Sequence, residues 1–271
     1  MSASRTIQNH FADLLIRDKA IQLEYQWIAP DLDGRPLIVF LHEGLGSVAL
    51  WKNWPEQLCR AVNCRGLVFS RYGYGQSTQR SADEKYSTSY LHDEARLVLP
   101  ALFKRLHINT DKTPPILFGH SDGATIALLF AAMYPQAAQA IIVAAPHIFV
   151  EDVTIANIRI AREAYLNTDL PTRLQRYHRD PDSAFWGWND IWLSPEFRSW
   201  NIESCLSQIR CPILAIQGVN DEYATLEQIH GIKRHAPQAE LCIIPDCAHS
   251  PHNDQPEKVI KATGDFIRSL R

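Results

Sequence analysis

Short, continuous apolar runs recur along the chain, and they are typical of strands covered on both faces, as in a parallel sheet. Six such runs predict buried strands at residues 36–41, 66–69, 115–118, 140–144, 212–217 and 240–244. Residues 21–27 instead alternate apolar and polar side chains. That alternation predicts a half-exposed strand near a sheet edge.

Segments with helical spacing of apolar residues lie between these runs. They predict helices at residues 90–106, 124–134, 226–235 and 257–270. Because strands and helices alternate, we predict an α/β fold with a doubly wound, mostly parallel sheet.

The alternation stops between Pro146 and Cys205, where no strand-like run occurs. This stretch is rich in large aromatic residues, and it carries six arginines and nine acidic residues. We therefore predict a helical cap at residues 146–205, inserted into a core made of residues 1–145 and 206–271. The aromatic residues of this stretch include Tyr165, Tyr177, Phe185, Trp186, Trp188, Trp192, Phe197 and Trp200.

The most informative motif is Gly119-His120-Ser121-Asp122-Gly123, which fits G-x-S-x-G. An apolar strand precedes it and an Ala-rich helix follows it, which is the setting of a nucleophile elbow. The tight turn requires small flanking residues. It also places the serine hydroxyl at a helix N-terminus, where developing negative charge is stabilised. We predict Ser121 as a nucleophile; the alternative is an ordinary strand–helix turn with a capping serine.

A serine nucleophile needs an adjacent base, and the base must be oriented by a third group. Enzymes with such an elbow carry these groups in the chain order Ser, acid, His. Asp221 and His249 each follow a predicted strand, at the sheet edge where catalytic groups gather. The neighbours that could replace them are Glu222 and Asp246 as the acid, and His252 as the base.

Acyl transfer also needs N–H donors for the developing oxyanion. One should be the backbone N–H of Asp122, the residue after the nucleophile. We assign the second to Gly44, with Leu45 as the alternative, because glycine lets the backbone approach a ligand closely. Glu43 is either a hydrogen-bonded structural carboxylate or a substrate contact.

Five segments together resemble the α/β-hydrolase superfamily: GHSDGA, LHEGLGS, SRYGYGQS, GVNDE and CAHSPH. The resemblance spans nearly the whole chain outside the cap, and it implies that Ser121, Asp221 and His249 form a catalytic triad. The S-D-G elbow is similar to that of the valacyclovir hydrolase (biphenyl hydrolase-like) branch and its bacterial relatives. This similarity implies hydrolysis of an ester or activated acyl compound.

The chain departs from the superfamily pattern at two positions. Many members carry His-Gly where this chain has His42-Glu43, which bears on the assignment of the oxyanion donor. The elbow ends in Gly123-Ala124 rather than Gly-Gly, a change that the following helix should tolerate.

The cap residues bear on the substrate, because aromatic side chains at a cleft mouth line apolar pockets. We expect most of them to pack the cap onto the core, with Trp186, Trp188 and Trp192 as candidates to face the substrate. His147 directly follows a predicted strand and is either near the site or an ordinary loop histidine. The acidic excess in the cap argues against a phosphate-rich acyl donor such as a CoA ester.

Composition narrows the cellular context. The net charge is −3 and no basic cluster occurs, so we expect no nucleic-acid partner. No segment approaches the roughly 20 apolar residues that span a bilayer, and charges interrupt the first residues too early for a secretory signal. The six cysteines form no C-x-x-C pair, which favours reduced thiols in a cytoplasmic protein.

We expect neither a cofactor nor a metal. The stretch CAHSPHND carries two histidines, but zinc sites need three or four ligands at suitable spacing. The leading hypothesis is a serine hydrolase that cleaves a small apolar or aromatic carboxylic ester, thioester or amide through an acyl-enzyme. The alternatives are a carbon–carbon bond hydrolase of aromatic degradation and a non-catalytic, hydrolase-like ligand receptor. The oligomeric state is left open.

Overall fold

Eight strands form one sheet in the computed structural model, which describes residues 9–270. They are β1 (His10–Ile16), β2 (Lys19–Ile28), β3 (Leu37–Leu41), β4 (Arg65–Phe69), β5 (Ile116–His120), β6 (Ala140–Ala144), β7 (Ile213–Gly218) and β8 (Glu240–Ile244). Their order across the sheet is β1-β2-β4-β3-β5-β6-β7-β8. The pairs β1–β2 and β2–β4 are antiparallel, and all other pairs are parallel.

Helices cover both faces of this sheet. They are α1 (Trp54–Val62), α2 (Tyr90–Asp93), α3 (Leu99–Arg105), α4 (Asp122–Met133), α5 (Asp152–Asn167), α6 (Leu170–Leu174), α7 (Pro181–Leu193), α8 (Glu203–Leu206), α9 (Glu227–His235), α10 (Pro251–Asp254) and α11 (Pro256–Ser269). Short 3-10 turns occur at Pro30–Leu32 and Pro195–Phe197. The predicted doubly wound, mostly parallel α/β sheet is confirmed.

The strands divide their side chains between two apolar clusters. Val39, Leu117 and Val143 belong to the larger cluster, which also contains residues of α3, α4 and α9. Phe40 and Phe118 belong to the smaller cluster, which is covered by α1 and α11. Because both faces of the central strands are buried, these strands are continuously apolar in sequence.

Three elements differ from the predictions. Strand β1 was not predicted, because its exposed face carries Phe11 and Leu15 and so lacks the polar half of an alternating pattern. Strand β8 is only half covered, since it is the last strand of the sheet and Ile243 is 40% exposed. The helix predicted over residues 90–106 is interrupted by a π-helical turn at Glu94–Val98.

Residues 146–205 contain α5 to α8 and no strand of the sheet, apart from an isolated bridge between Phe149 and Asn201. Trp192 and Phe197 from this stretch belong to the larger apolar cluster of the sheet. The division of the chain into a core unit and a cap unit stays a prediction. No helix among the described residues has both the length and the apolarity needed to cross a bilayer.

Candidate active site

Ser121 lies in the turn between β5 and α4, with a φ of 52° and a ψ of −118°. Such a positive φ is rare for a residue with a Cβ and is found mainly where the surroundings enforce it. Its N–H donates to the Ala144 carbonyl at 2.9 Å, and its carbonyl accepts from the N–H groups of Ala124 and Thr125. The turn is therefore fixed to both β6 and α4.

The two elbow glycines allow a close approach of backbone segments. A Cβ on Gly119 would lie 2.3 Å from the Gly123 carbonyl oxygen, and one on Gly123 would lie 2.0 Å from the Leu41 carbonyl oxygen. No side chain fits at either position without a shift of the backbone. Ala124 at the next position is fully buried in α4, so the Gly-Ala form of the elbow fits the helix.

A hydrogen-bonded chain joins Ser121, His249 and Asp221. Ser121 Oγ lies 3.0 Å from His249 Nε2, and His249 Nδ1 lies 2.8 Å from Asp221 Oδ1. Since a carboxylate can only accept, His249 Nδ1–H donates to Asp221 and leaves Nε2 to accept from the serine hydroxyl. The Asp221 side chain is fully buried, whereas that of His249 is 12% exposed.

Asp221 is held as a carboxylate by its hydrogen bonds. Burial alone would raise its pKa, but the bond from His249 and the N–H of Tyr223 keep the pKa below its ordinary value. Glu222 does not compete for the His249 ring, because its Oε2 accepts from the His249 backbone N–H at 3.1 Å. His252 packs against Trp51 and is not bonded to Ser121.

Gly44 and Asp122 line the same pocket as Ser121, and so does Leu45. Asp122 is the first residue of α4, where a backbone N–H has no acceptor within its helix. A Cβ on Gly44 would lie 2.2 Å from Trp188 Nε1, so α7 packs directly on this loop. The two backbone N–H groups predicted as oxyanion donors thus belong to segments at the nucleophile.

The side chain of Asp122 is buried and bonded to other side chains. Its Oδ2 accepts from the Tyr90 hydroxyl at 3.0 Å and lies 3.4 Å from Arg71 Nη2. Burial raises the pKa of this carboxyl despite these partners. Tyr90 in turn accepts from Trp192 Nε1 at 3.0 Å, which links α7 to the residue beside the nucleophile.

Glu43 contacts another side chain and also lines the pocket, and a contact with the substrate stays a prediction. Its Oε2 lies 3.4 Å from His120 Nδ1, and its side chain, 23% exposed, also lines the pocket. Burial alone would raise the pKa of Glu43 and lower that of His120, but their contact reverses both shifts. His120 Nε2 also lies 2.8 Å from the His249 carbonyl oxygen, so the pair supports the His249 loop.

The pocket at Ser121 has a volume of about 120 Å³. Its lining residues are Glu43, Gly44, Leu45, Ser121, Asp122, His147, Thr154, Ile158, Trp188, Trp192, Tyr223 and His249. His147 is buried against Trp192, which lowers its pKa to about 3 and keeps it neutral. Its Nδ1 has no hydrogen-bond partner among the described residues.

Trp186 was expected to face the substrate, but the structure does not place it at this pocket. It packs against Tyr165 and lines a different cavity. Trp188 and Trp192 are four residues apart on α7 and share a face, whereas Trp186 and Trp188 are two apart and point to different sides. A helix predicted over residues 181–193 would have placed Trp186 on a different face from Trp188 and Trp192.

Sequence reasoning missed four residues of the site. Thr154 and Ile158 are four apart on α5 and face the pocket together, a spacing that the sequence contains. The Tyr223 ring lies 4.8 Å from that of His249. Arg71 contacts the site from the loop after β4, and its part of the motif SRYGYGQS carried no assigned role.

Among residues 9–270, no group of three or more His, Cys, Asp or Glu side chains could hold a metal ion. The two histidines of CAHSPHND have other contacts: His249 bonds Ser121 and Asp221, and His252 packs on aromatic rings.

The sheet order, the strained serine turn and the residues gathered around it define a protein of the α/β-hydrolase class. The chain matches the alpha/beta hydrolase family over residues 38–262, and it belongs to that family. None of the curated proteins matches the sequence.

Several solved structures share the fold over nearly the whole chain. A thermophilic esterase from Thermogutta terrifontis is 20% identical with a TM-score of 0.73, covering 97% of this chain and 99% of its own. A carboxylesterase from Nitrososphaera gargenis is 17% identical with a TM-score of 0.74, and the match covers 95% of this chain and 98% of the carboxylesterase. A meta-cleavage product hydrolase from Pseudomonas fluorescens is 18% identical with a TM-score of 0.71, covering 96% and 98%. At these identities the likeness shows the fold alone.

Proposed function

We propose that this protein is a serine hydrolase that cleaves a small apolar or aromatic carboxylic ester through an acyl-enzyme. The observation that carries the proposal is the hydrogen-bonded chain from Asp221 through His249 to Ser121, with distances of 2.8 and 3.0 Å, at a pocket beside Ser121. A nucleophile, a base and an orienting carboxylate in this arrangement are the requirements of acyl transfer.

In the proposed reaction, His249 Nε2 takes the proton of Ser121 while Oγ attacks the ester carbonyl carbon. The carbonyl oxygen becomes an oxyanion that the N–H groups of Gly44 and Asp122 stabilise. The protonated imidazole then gives its proton to the leaving alkoxide, and the acyl group stays on Ser121. A water molecule, deprotonated by His249, attacks the acyl-enzyme and releases the acid. Asp221 holds the imidazole in the required tautomer throughout.

The pocket limits the size of the group that can lie beside Ser121. Its volume of about 120 Å³ is smaller than the cavity of about 150 Å³ that holds benzene in an engineered protein core. Trp188, Trp192 and Ile158 supply apolar walls. We therefore propose an acyl group no larger than about one aromatic ring. Thioesters and amides of that size are substrates of the same machinery.

A second candidate function is the hydrolysis of a carbon–carbon bond. It is favoured by the likeness to the meta-cleavage product hydrolase, whose fold matches over 96% of this chain. The pocket volume favours the ester, because a vinylogous diketone with an aromatic substituent needs more room. A non-catalytic receptor is disfavoured, since it has no need of a bonded Ser–His–Asp chain. A place in the valacyclovir hydrolase branch and in the cytoplasm stays a prediction.

Replacement of Ser121 tests the proposal. We expect the wild-type protein to hydrolyse p-nitrophenyl acetate and the S121A variant to lose at least about 10⁴-fold in kcat, since it lacks the nucleophile. The matched control is S207A, because Ser207 is an exposed serine outside the pocket. A fluorophosphonate probe should label wild type and S207A but not S121A. Ester turnover that persists in S121A would contradict the assignment.

Competing substrates separate the two reactions. We expect kcat/KM for acetyl and benzoyl esters to exceed that for a vinylogous diketone. The reverse order, with labelling of Ser121 retained, would select the carbon–carbon bond hydrolase.

A further inference from the structure

The carbonyl group of Glu43 accepts three hydrogen bonds. His42 Nδ1 lies 2.7 Å from the Glu43 oxygen, Arg71 Nη2 donates to it at 2.9 Å, and the Gly46 N–H donates to it at 3.1 Å. A carbonyl oxygen has two lone pairs, so this acceptor is fully used. The peptide group between Glu43 and Gly44 is therefore held firmly from its carbonyl side.

Holding this carbonyl also fixes the direction of the Gly44 N–H. A peptide group is planar and trans, so its C=O and N–H bonds point in opposite directions. No cis peptide bond occurs among the described residues. The donors to the Glu43 carbonyl thus fix the orientation of the Gly44 N–H, and Gly44 lines the pocket together with Ser121.

Arg71 reaches both segments that supply oxyanion donors. Besides the Glu43 carbonyl, its Nη2 contacts Asp122 Oδ2 at 3.4 Å. Its backbone N–H donates to His42 Nε2 at 3.0 Å, which leaves the proton of that ring on Nδ1, facing the Glu43 carbonyl. The guanidinium is only 1% exposed and stacks 4.8 Å from the Tyr74 ring.

We propose that Arg71 is a positioning residue for the oxyanion site. Its guanidinium aligns the Glu43–Gly44 peptide, anchors the Asp122 side chain and places a buried positive charge behind the two N–H donors. The inference rests on the proposed function, because the donors it orients are those of a serine hydrolase. Preorganised dipoles lower the barrier because they need no rearrangement when the oxyanion forms.

Arg80 provides a matched control for Arg71. It is also a buried arginine that donates to backbone carbonyls, Ser183 among them, and it stacks 5.5 Å from a tyrosine ring. It lines the cavity on the other side of α7 and is absent from the pocket at Ser121. Replacing either arginine with methionine removes a buried guanidinium, but only R71M should disturb the oxyanion donors.

The test compares R71M, R71K and R80M in p-nitrophenyl acetate turnover and in binding of an alkyl trifluoromethyl ketone. This ketone forms a tetrahedral adduct on serine and so reports on oxyanion binding. For R71M we expect kcat/KM and ketone affinity to fall by the same factor, about 10- to 100-fold. This loss is smaller than the roughly 10²- to 10³-fold loss in kcat that follows deletion of an oxyanion donor. KM should change less than about threefold. R71K should lose less than R71M, because it keeps one donor and the charge.

Thermal unfolding measures what each variant loses in stability. We expect R80M to lose stability while its kcat/KM and ketone affinity stay within about threefold of wild type. If R71M does not fold, the question is decided by the kcat/KM and the ketone affinity of R71K, each relative to wild type. The proposal is overturned if the folded Arg71 variants keep full ketone affinity, or if R80M loses as much as R71M.

The rate of fluorophosphonate labelling separates this proposal from the proposed function. Phosphonylation of Ser121 also builds negative charge on an oxygen beside the same donors. A wild-type protein that is labelled but turns over no ester would refute the substrate class, and slower labelling of R71M would still support Arg71. A wild-type protein that resists labelling would overturn both.

Discussion

Asp221 accepts hydrogen bonds from four donors, and together they hold its carboxylate in one orientation. His249 Nδ1 and the N–H groups of Tyr223 and Ala224 meet Oδ1, while Gln217 Nε2 donates to Oδ2 at 3.2 Å. An acceptor fixed in this way selects the His249 tautomer in which Nε2 faces Ser121. The position of the Asp221 carboxylate thus determines which ring nitrogen of His249 carries the proton.

Asparagine at position 221 should therefore be severely damaging. Its amide can turn an N–H toward His249, which favours the wrong tautomer, and we expect D221N to lose about 10³- to 10⁴-fold in kcat. The matched control is E222Q, because the Glu222 carboxylate accepts from the backbone N–H of His249 and not from its ring, and this change should cost less than about tenfold in kcat. Steady-state turnover of p-nitrophenyl acetate measures both. Equal losses in the two variants would contradict the role of Asp221.

At the residue scale, the sequence predicted the groups that lie at strand ends. Ser121, Asp221 and His249 each follow a strand, so their common location follows from the topology of a parallel sheet. Arg71 could not be assigned, because its role depends on contacts with a carbonyl and a carboxylate distant in sequence. Trp186 could not be distinguished from Trp188 and Trp192, because the bounds of the helix that carries all three had not been predicted.

At the scale of single elements, the β5–α4 turn depends on the absence of side chains. A Cβ on Gly123 meets the backbone of β3 at 2.0 Å, and neither segment can move without disturbing the sheet. We expect G123A to lose at least about 1–3 kcal/mol of unfolding free energy, the range typical of overpacked cores. Denaturant unfolding measures the loss.

A glycine in the last helix is the control for this prediction. A Cβ on Gly264 lies 3.3 Å from the flexible end of Arg268, so the side chain can give way. Since alanine favours a helix over glycine by about 1 kcal/mol, G264A should be neutral or stabilising. A G123A protein as stable as G264A would show that the elbow tolerates a side chain.

In the proposed function, Trp188 of helix α7 limits the length of the acyl group, because it lines the pocket at Ser121. Replacing it with alanine enlarges the pocket, and each further buried CH₂ group contributes about 0.8 kcal/mol. We expect W188A to raise the ratio of kcat/KM for p-nitrophenyl hexanoate over acetate by at least about tenfold. W186A is the control, since Trp186 lies outside the pocket. A ratio that moves equally in both variants would refute this view of α7.

Element boundaries followed from the sequence where a single rule applied. The buried strands are short, continuous apolar runs and α4 is a longer, Ala-rich apolar segment, and the structure has these elements. Strand β1 was not predicted from the sequence, because Leu15 is 67% exposed and so an apolar side chain lies where an alternating pattern needs a polar one. The π-helical turn at Glu94–Val98 has no period of its own, since it depends on packing around it.

At the scale of the whole molecule, buried charge couples stability to pH. Burial raises the pKa of Glu94 from 4.5 to about 7, although Arg71 opposes the shift. The folded protein thus keeps a proton that the unfolded chain releases above about pH 4.5. It follows that the unfolding free energy falls as pH rises from about 4.5 through 7.

The E94Q variant removes this dependence. Between pH 5 and pH 8, the stability of E94Q relative to wild type should rise by about 1–3 kcal/mol, since one pKa unit corresponds to about 1.4 kcal/mol. Urea titrations at the two pH values measure it. E240Q, which changes an exposed carboxylate, should follow the wild-type curve. If the difference in unfolding free energy between E94Q and wild type were the same at both pH values, a buried, titrating Glu94 would be excluded.

The composition of residues 146–205 predicted a helical insertion, and that stretch is helical in the structure. The way it packs was not accessible from sequence, because it depends on pairs such as Trp192 with Tyr90 that are 102 residues apart. Phe197 from this stretch and Val39 from the sheet share one apolar cluster. Helices and sheet are therefore joined by common packing as well as by the chain.

The positive φ of Ser121 sets activity against stability at a single residue. A backbone of this kind costs about 1–3 kcal/mol for a residue with a Cβ, and glycine would avoid the cost. Glycine, however, carries no nucleophile. The residue that best suits this turn is thus one that would abolish the proposed chemistry, so selection for thermostability alone would tend to remove the serine.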